Sequence, residues 1–400
     1  MRYCFFSDYK FALTGYTTMI INFIKGLHLL KKEIILINYK DGLVNNELLK
    51  EGIEIKVIER EDLTRKNVKD FFSVNDIFLV NHFPEFFNLL MEINPKIIYY
   101  DINDFIGEIC RYKTMRLGFL GKKMVKLLLE KNALLFMDDT GVFNVKEYFK
   151  INIKEPNFLP IPINSYTENQ YLMSGDNHRE YLKVAYIGRV DSWKMYPLLR
   201  VLKDLSKVNT QIKVSILVDN IQEFEKYCNL NELESKYLTF KIYESLKPSE
   251  VPAFLLENAD LYFGMGTTAL HAGALGIPTI LLDYSSYPIN GIYHYNWLFE
   301  SKHFSLGMNI DKREQGEGKT IIEIFERALS FAGRKGLSNE TFLYTIKNHS
   351  LEMVAKFLVH YCERSSFRSI DARKYFPYYF WPHSFLKGLV SPFYKKMKSH

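Results

Sequence analysis

Two short segments of the chain contain the residue types that bind a diphosphate, and each of them follows an apolar run. The first comes directly after Lys183–Ile187, where Gly188 allows a tight turn and is followed by Arg189 and, five residues later, by Lys194. A guanidinium presents a planar fork of donors, an ammonium adds a compact charge, and the amides at a helix N-terminus favour anions. An arginine and a lysine at this spacing are often only solvated surface charges, but their position after a strand favours a diphosphate site.

The second segment is a glycine-rich turn between a predicted strand, Leu261–Phe263, and a predicted helix, Ala269–Leu275. It places backbone amides and two hydroxyl groups at the start of that helix, which indicates another anion-binding site. The turn consists of Gly264, Met265, Gly266, Thr267 and Thr268.

A third segment, around Gly15 and Tyr16, follows the first predicted strand. It lacks the GxGxxG fingerprint of dinucleotide-binding sheets, so the sequence does not predict a dinucleotide site there. Two interpretations stay open. Either Gly15 and Tyr16 approach a phosphate or a sugar closely, or they only begin a helix.

Three titratable residues in the first half are candidates for a general base that activates a hydroxyl group. His82 follows the predicted strand Ile77–Asn81, and Asp101 and Asp104 follow the predicted strand Lys96–Tyr100. A hydroxyl that attacks needs only partial deprotonation, so one imidazole or carboxylate is sufficient. His82 as a simple cap and Asp104 as the N-cap of the next helix are the structural alternatives. We take His82 and Asp101 as candidate bases.

The elements that position these residues alternate between strands and helices. Short runs rich in Val, Ile and Leu, each followed by a helical pattern, are typical of parallel sheets covered on both faces. The polar stretch Ser165–Glu180 divides two such series. The predicted strands are Arg2–Phe6, Glu33–Asn38, Ile53–Ile58, Ile77–Asn81, Lys96–Tyr100, Leu134–Met137, Lys183–Ile187, Ile212–Val218, Leu238–Ile242, Leu261–Phe263 and Thr279–Leu282. The predicted helices are Thr17–Leu30, Met195–Ser206, Ser249–Glu257, Ala269–Leu275, Thr320–Ala332 and Asn339–Cys362.

This pattern predicts an α/β protein with two doubly wound, Rossmann-like domains that face a central cleft. We expect a first domain at 1–165, a linker at 166–180, a second domain at 181–364 and a C-terminal tail at 365–400. Ligands of such sheets bind beyond the carboxyl ends of the strands, where the three segments described above are predicted to lie.

Length and composition agree with two globular domains. The chain has 400 residues, whereas a single core stops growing at about 250 to 300 residues. Hydrophobic residues make up 47% and charged residues 24%, which excludes a disordered chain, and a net charge of +6 does not indicate nucleic acid binding. The four cysteines are scattered and the N-terminus lacks a secretory signal, so we expect a reducing, cytoplasmic location.

Two further stretches raise the question of membranes. Leu261–Leu282 is uncharged over 22 residues, but its four glycines and one proline predict a buried β-turn-α-turn-β unit rather than a membrane span. The tail Ser365–His400 combines aromatic with basic residues. It either packs back on the first domain or lies on a membrane surface, and the two interpretations are compatible.

The segments described above resemble those of GT-B glycosyltransferases, in particular the nucleotide-sugar-dependent group that makes bacterial polysaccharide and lipopolysaccharide. IGRVDSWK, which ends at Lys194, resembles the GR-x4-K segment whose arginine and lysine hold the donor diphosphate. Ala259–Tyr284 resembles the donor segment, with its glycine-rich turn and a helix ending in LGxP. More loosely, Lys96–Phe105 resembles a strand and loop that face the acceptor, and NALLFMDDTG with NFLPIPIN resembles the last strand and linker entry of the first domain.

The chain departs from that group at one motif. The group commonly carries two glutamates eight residues apart in the donor segment, and their positions hold Phe263 and His271 here. His271 can bond a sugar hydroxyl or a phosphate, but it does not replace a carboxylate that holds ribose or sugar hydroxyls. The departure leaves the donor and the stereochemical outcome open.

The resemblance implies a glycosyltransferase that moves a sugar from a nucleoside diphosphate sugar to a lipid-linked or oligosaccharide acceptor in bacterial surface polysaccharide synthesis. It implies an acceptor domain at 1–165, with Gly15, Tyr16 and Asp104 in the acceptor cleft, and a donor domain at 181–364. It also implies no metal and no cofactor, because cationic side chains and helix N-termini neutralise the leaving diphosphate in this group. The alternatives are an epimerase or a polyol-phosphate transferase on the same scaffold, and a non-catalytic GT-B-like subunit that binds a sugar nucleotide or a partner.

Overall fold

Successive side chains along each strand point to opposite faces of the sheet, so each sheet has an apolar core on both of its sides. In the first sheet, Cys4 and Phe6 face one core while Tyr3 and Phe5 face the other. A computed structural model describes residues 1–7, 15–81, 87–101, 115–173, 181–312 and 317–373. His82, Asp104 and the part of the tail from residue 374 lie outside the described residues.

The first sheet has six parallel strands in the order β3-β2-β1-β4-β5-β6. These strands are β1 (Arg2–Phe6), β2 (Glu33–Asn38), β3 (Lys56–Glu59), β4 (Ile77–Val80), β5 (Lys96–Asp101) and β6 (Leu134–Phe136). The helices of this half are α1 (Gly15–Leu29), α2 (Leu43–Lys50), α3 (Val68–Phe71), α4 (Phe87–Leu90), α5 (Met115–Glu130) and α6 (Asp139–Phe149). The strand order reverses between β1 and β4, which opens a crevice at their carboxyl ends.

The second sheet has the order β12-β11-β10-β7-β8-β9, and it is parallel except for β12. Its strands are β7 (Leu182–Ile187), β8 (Ile212–Val218), β9 (Leu238–Glu244), β10 (Leu261–Gly264), β11 (Thr279–Leu281) and β12 (Asn296–Trp297). The helices that follow the first half are α7 (Gln170–Met173), α8 (Ser192–Leu205), α9 (Ile221–Tyr227), α10 (Val251–Asn258), α11 (Thr267–Ala274), α12 (Ile321–Ala328), α13 (Phe331–His349), α14 (Leu351–Arg364) and α15 (Ser369–Ala372). The order reverses between β7 and β10. The predicted α/β architecture of two doubly wound sheets is therefore confirmed.

After the second sheet the chain returns to the first. Helix α14 packs on α1, where the backbone of Leu351 lies directly against Gly26. Phe367, further along, is fully buried in the core of the first sheet. Residues 351–373 thus contact the first sheet although they follow the second, and the predicted domain boundaries stay predictions.

Several predicted elements differ from those observed. The predicted helix Asn339–Cys362 is interrupted at Ser350, because Ser350 forms a β-bridge with Ile163 and turns the chain between α13 and α14. The predicted helix Thr320–Ala332 ends at Ala328, and Ser330 caps the next helix with its side chain. Within the predicted structureless linker, residues 170–173 form α7. Among the described residues, no helix combines the length and apolar character that crossing a membrane requires.

Candidate functional site

The two predicted diphosphate segments lie side by side at the point where the second sheet reverses its strand order. Strands β7 and β10 are neighbours, so the loop after β7 and the turn after β10 leave the same edge of the sheet. The hydroxyls of Tyr262 and Thr268 both donate to the carbonyl of Ile187, over 3.3 and 3.4 Å. The turn after β10 is thus bonded directly to the last residue of β7, at the position where doubly wound sheets bind their ligands.

Glycine is required at the end of both strands. A Cβ at Gly188 would collide with the phenol of Tyr186, two residues earlier, and a Cβ at Gly264 would lie 2.6 Å from the hydroxyl of Tyr262. In each strand a buried tyrosine thus lies beneath the backbone of the glycine that follows it. The same close contact between a tyrosine ring and a glycine backbone therefore occurs at the end of both strands.

The loop after β7 carries two cations with different environments. The Arg189 side chain is 68% exposed, and its guanidinium lies 3.5 Å from the carboxylate of Asp191. Lys194 is half-buried in the first turn of α8, with its ammonium 4.8 Å from the ring centroid of Trp193. Burial and the neighbouring Arg189 lower the pKa of Lys194, and Asp191 and Asp219 partly offset this effect. Two cations that repel one another at this edge favour binding of an anion between them.

Helix α11 begins at the glycine-rich turn. Its N-cap is Gly266, whose φ is +65°, and the Gly266 amide donates to the carbonyl of Leu306 over 2.8 Å. The first amides of a helix have no acceptor within it, so the start of α11 offers donors and a positive dipole end to an anion. We predicted both threonine hydroxyls as donors to the ligand, but the Thr268 hydroxyl is committed to the carbonyls of Met265 and Ile187. Of the two positions, this leaves the hydroxyl of Thr267 and the backbone for a ligand.

The positions of the two glutamates are occupied by side chains that cannot act as carboxylates. Phe263 is fully buried and packs edge-on against Tyr295, with ring centroids 5.8 Å apart. His271 lies in α11, and burial lowers the pKa of its imidazole, which is therefore neutral at pH 7. A ribose or sugar that needs a carboxylate partner must find it elsewhere in the chain.

Tyr16 bridges the two strands that flank the crevice of the first sheet. Gly15 begins α1, and the Tyr16 hydroxyl lies 3.2 Å from the carbonyl of Phe6 and 3.1 Å from Oδ1 of Asn81. It therefore joins the carboxyl ends of β1 and β4, the two strands between which the order reverses. Of the residues predicted for the acceptor cleft, Gly15 and Tyr16 are described, and both lie at this edge.

Asp101 does not lie after a strand, as we predicted, but is the last residue of β5. It pairs with Phe136 of β6 and is 3% exposed. A Cβ at Gly141 would lie 2.5 Å from its Oδ2, so its carboxylate faces the first turn of α6. Asp101 is thus buried against this helix at the carboxyl edge of the first sheet, and its role as the base stays a prediction.

A contact between the two halves was not predicted at all. Nδ1 of His303 lies 2.8 Å from Oδ2 of Asp139 in α6, and the imidazole stacks on Phe158 at 5.0 Å between ring centroids. His303 and Phe304 have φ angles of 48° and 63°, a left-handed backbone conformation that residues other than glycine rarely adopt. The neighbouring Leu306 carbonyl accepts from Gly266, so the contact lies close to the donor turn.

Asp219 was also missed. It follows β8 directly, and its Oδ1 accepts a hydrogen bond from the amide of Val190 over 2.8 Å, which fixes the loop that carries Arg189. The available signal was a polar residue at the end of the apolar run Ile212–Val218, the same signal that pointed to the other two loops.

Among known proteins, the chain is similar only to solved structures, and this similarity concerns the fold. No family model matches the chain, and no curated protein matches its sequence. Among solved structures, a glycosyltransferase from Rickettsia africae ESF-5 is 13% identical, with 91% of this chain and 98% of that chain covered and a TM-score of 0.56. The lipopolysaccharide outer core galactosyltransferase WaaB is 13% identical, with 90% and 99% covered and a TM-score of 0.52.

A third similar structure is a point mutant of S. aureus TarM in complex with fondaparinux, alpha-GlcNAc-glycerol and UDP. It is 10% identical, with 90% of this chain and 100% of that chain covered and a TM-score of 0.50. Identities this low establish a shared fold rather than a shared activity. Both the sheet topology and these similarities lead to one conclusion: the chain has the GT-B fold of glycosyltransferases.

Proposed function

We propose that the protein is a glycosyltransferase that transfers a sugar from a nucleoside diphosphate sugar to a lipid-linked or oligosaccharide acceptor of a bacterial surface polysaccharide. The observation that carries this proposal is the hydrogen bond from the Thr268 hydroxyl to the Ile187 carbonyl. It brings the loop of Arg189 and Lys194 to the N-terminus of α11. Two cations and a helix N-terminus at one switch point suit a diphosphate better than any neutral ligand.

The reaction would proceed by attack of an acceptor hydroxyl oxygen on the anomeric carbon of the donor sugar. The bond from that carbon to the diphosphate oxygen breaks, and the hydroxyl proton passes to a base. Negative charge grows on the leaving diphosphate, where Arg189, Lys194 and the first amides of α11 stabilise it. Charge stabilisation from these groups supports a transfer that needs no metal.

The acceptor would bind at the facing edge of the first sheet, near Tyr16 and the ends of β1 and β4. His82 stays our candidate for the base, since it follows β4 in the sequence, although it lies outside the described residues. The similarity to a galactosyltransferase of the lipopolysaccharide outer core and to a structure with bound UDP supports this class of donor and acceptor at the level of the fold.

A subunit that binds a sugar nucleotide without turnover is the second candidate. It is favoured by one observation, the buried Phe263 and the neutral His271 at the positions of the two glutamates. Slow hydrolysis of the donor distinguishes the two candidates, because a transferase that lacks its acceptor still transfers to water whereas a binding subunit does not.

The test is to incubate the protein with a panel of nucleotide sugars and to measure thermal stabilisation and release of the nucleoside diphosphate. We expect one donor to stabilise and be hydrolysed, and Arg189→Ala and Lys194→Ala to abolish both effects. Lys226→Ala is the matched control, because Lys226 lies at the far end of α9 and pairs with Glu223 on its own helix. Wild-type binding and turnover in both Arg189→Ala and Lys194→Ala would contradict the proposal.

A further inference from the structure

One carboxylate oxygen of Asp219 binds the loop that carries Arg189 and Lys194, and the other is available to a ligand. Its Oδ1 accepts from the amide of Val190, next to Arg189, and the residue is exposed at the carboxyl end of β8. Among the described residues, the structure gives Oδ2 no hydrogen-bond donor. A carboxylate in this position faces the same cleft edge as Arg189 and Lys194, and it is close enough to Lys194 to act on the pKa of that ammonium.

A phosphate cannot be the partner of Oδ2, because both groups are anionic. The groups of a nucleotide sugar that can donate to a carboxylate are its hydroxyls and the N–H groups of its base. The ribose is attached directly to the α-phosphate, and β8 is the immediate neighbour of β7, about 4.8 Å away in the sheet. A diphosphate held at the ends of β7 and β10 therefore places its ribose within reach of the end of β8.

The topology supports the same assignment. Strand β8 is the second strand of its sheet in chain order, and in dinucleotide-binding sheets of this strand order an acidic residue accepts from a ribose hydroxyl. Here the positions of the glutamates hold Phe263 and His271, neither of which supplies a carboxylate. We propose that Asp219 binds a ribose hydroxyl of the nucleotide, and that the ligand of this site is a ribonucleoside diphosphate. This inference rests on the proposed function.

The competing role for Asp219 is to hold only the Val190 amide. Asp219→Asn separates the two roles, because the amide oxygen of asparagine still accepts from Val190 while an NH2 group replaces the second carboxylate oxygen. Asp70→Asn is the matched control, since Asp70 is exposed in α3 of the first half.

The experiment measures dissociation constants of UDP, ADP and GDP, and of their 2′-deoxy and 3′-deoxy forms, by titration calorimetry. In the wild-type protein and in Asp70→Asn we expect the ribonucleotide that binds to be preferred at least about tenfold over one deoxy form, as for a hydrogen bond to a charged acceptor. In Asp219→Asn this preference should fall to about twofold or less, while the deoxy form binds as it does to the wild type.

An undiminished preference in Asp219→Asn would overturn the inference and leave Asp219 as a brace of the loop, with the proposed function intact. The proposed function itself would be contradicted by either of two other results. These are that no nucleoside diphosphate binds the wild type, or that Arg189→Ala binds it as well as the wild type does.

Discussion

The imidazole of His303 lies 2.8 Å from the carboxylate of Asp139, and this contact links the loop whose Leu306 carbonyl accepts from the donor turn to the last α/β unit of the first sheet. Their side chains are 58% and 33% exposed, so solvent screens the pair and its free energy is about 1 kcal/mol or less. The pair therefore contributes to the relative position of the two sheets more than to global stability.

The first prediction concerns this pair. We expect His303→Ala to leave the unfolding midpoint nearly unchanged but to increase hydrogen exchange in the segment around Phe158, on which the imidazole stacks. The comparison of His303→Ala, Asp139→Asn and the double variant by urea denaturation should give a coupling energy of about 1 kcal/mol or less. Hydrogen exchange around Phe158 that equals that of the wild type would show that the contact does not restrain this segment.

The second prediction follows from the lowered pKa of Lys194. A cation binds the diphosphate only while it is protonated, so affinity should fall as pH rises through this lowered pKa, below the range of an ordinary lysine. A bound anion stabilises the ammonium, and the complex should therefore lose its proton at higher pH than the free protein. Nucleoside diphosphate affinity measured between pH 7 and 11 would show the decline.

Lys194→Arg tests the assignment of that decline, because a guanidinium stays protonated over this range. The alkaline decline should be absent in Lys194→Arg and unchanged in Lys226→Ala, whose lysine lies at the far end of α9. A decline that persists in Lys194→Arg would assign the titration to another group.

The third prediction concerns the glycine at the end of β7. In Gly188→Ala the new methyl group meets the phenol of Tyr186, and we expect a loss of about 1–3 kcal/mol in the free energy of unfolding together with weaker diphosphate binding. The matched control is Gly336→Ala in α13, where a Cβ meets nothing within 4 Å. That control should gain about 0.5–1 kcal/mol. Chemical denaturation measures both, and equal effects would contradict the close contact at Gly188.

The fourth prediction is a loss of stability in acid caused by His349. Burial lowers the pKa of His349 to about 4, although its Nδ1–H donates to the carbonyl of Ile161 over 3.0 Å. Between about pH 6.5 and pH 4 the unfolded chain binds a proton that the folded protein excludes, so folding stability is complete above pH 6.5 and falls as pH decreases, by up to about 3 kcal/mol.

His349→Gln should flatten this part of the stability profile, and His360→Gln, whose histidine is exposed on α14, should leave it unchanged. Urea denaturation at half-unit pH steps provides the measurement. A wild-type profile that stays flat between pH 6.5 and pH 4 would show that His349 is protonated in the folded protein.

The sequence predicts those parts of the fold that depend on local patterns. The strands Arg2–Phe6 and Ile212–Val218 are predicted to the residue, because each is a short and mostly apolar run whose side chains a sheet covered on both faces can bury. The loop of Arg189 and Lys194 is predicted for a related reason, since small and cationic residues directly after such a run indicate a ligand site at a strand end.

The rest depends on tertiary contacts that leave no local signal. The interruption at Ser350 is invisible in the sequence, because helical periodicity continues from α13 into α14 and only the bridge to Ile163 separates them. Asp101 belongs to β5 because β6 provides Phe136 as its partner. His303 and Asp139 are 164 residues apart, and only the packing of the two halves brings them together.

The packing of α14 on α1 has a consequence for synthesis. The apolar side of α1, with Phe23, Ile24 and Leu27, is covered by Val354, Ala355 and Leu358. A ribosome makes this cover only after every strand of the second sheet. Translation proceeds at roughly 5–20 residues per second, and through most of it the apolar surface of α1 on the nascent first sheet stays exposed. This surface can bind chaperones, and it can also cause aggregation.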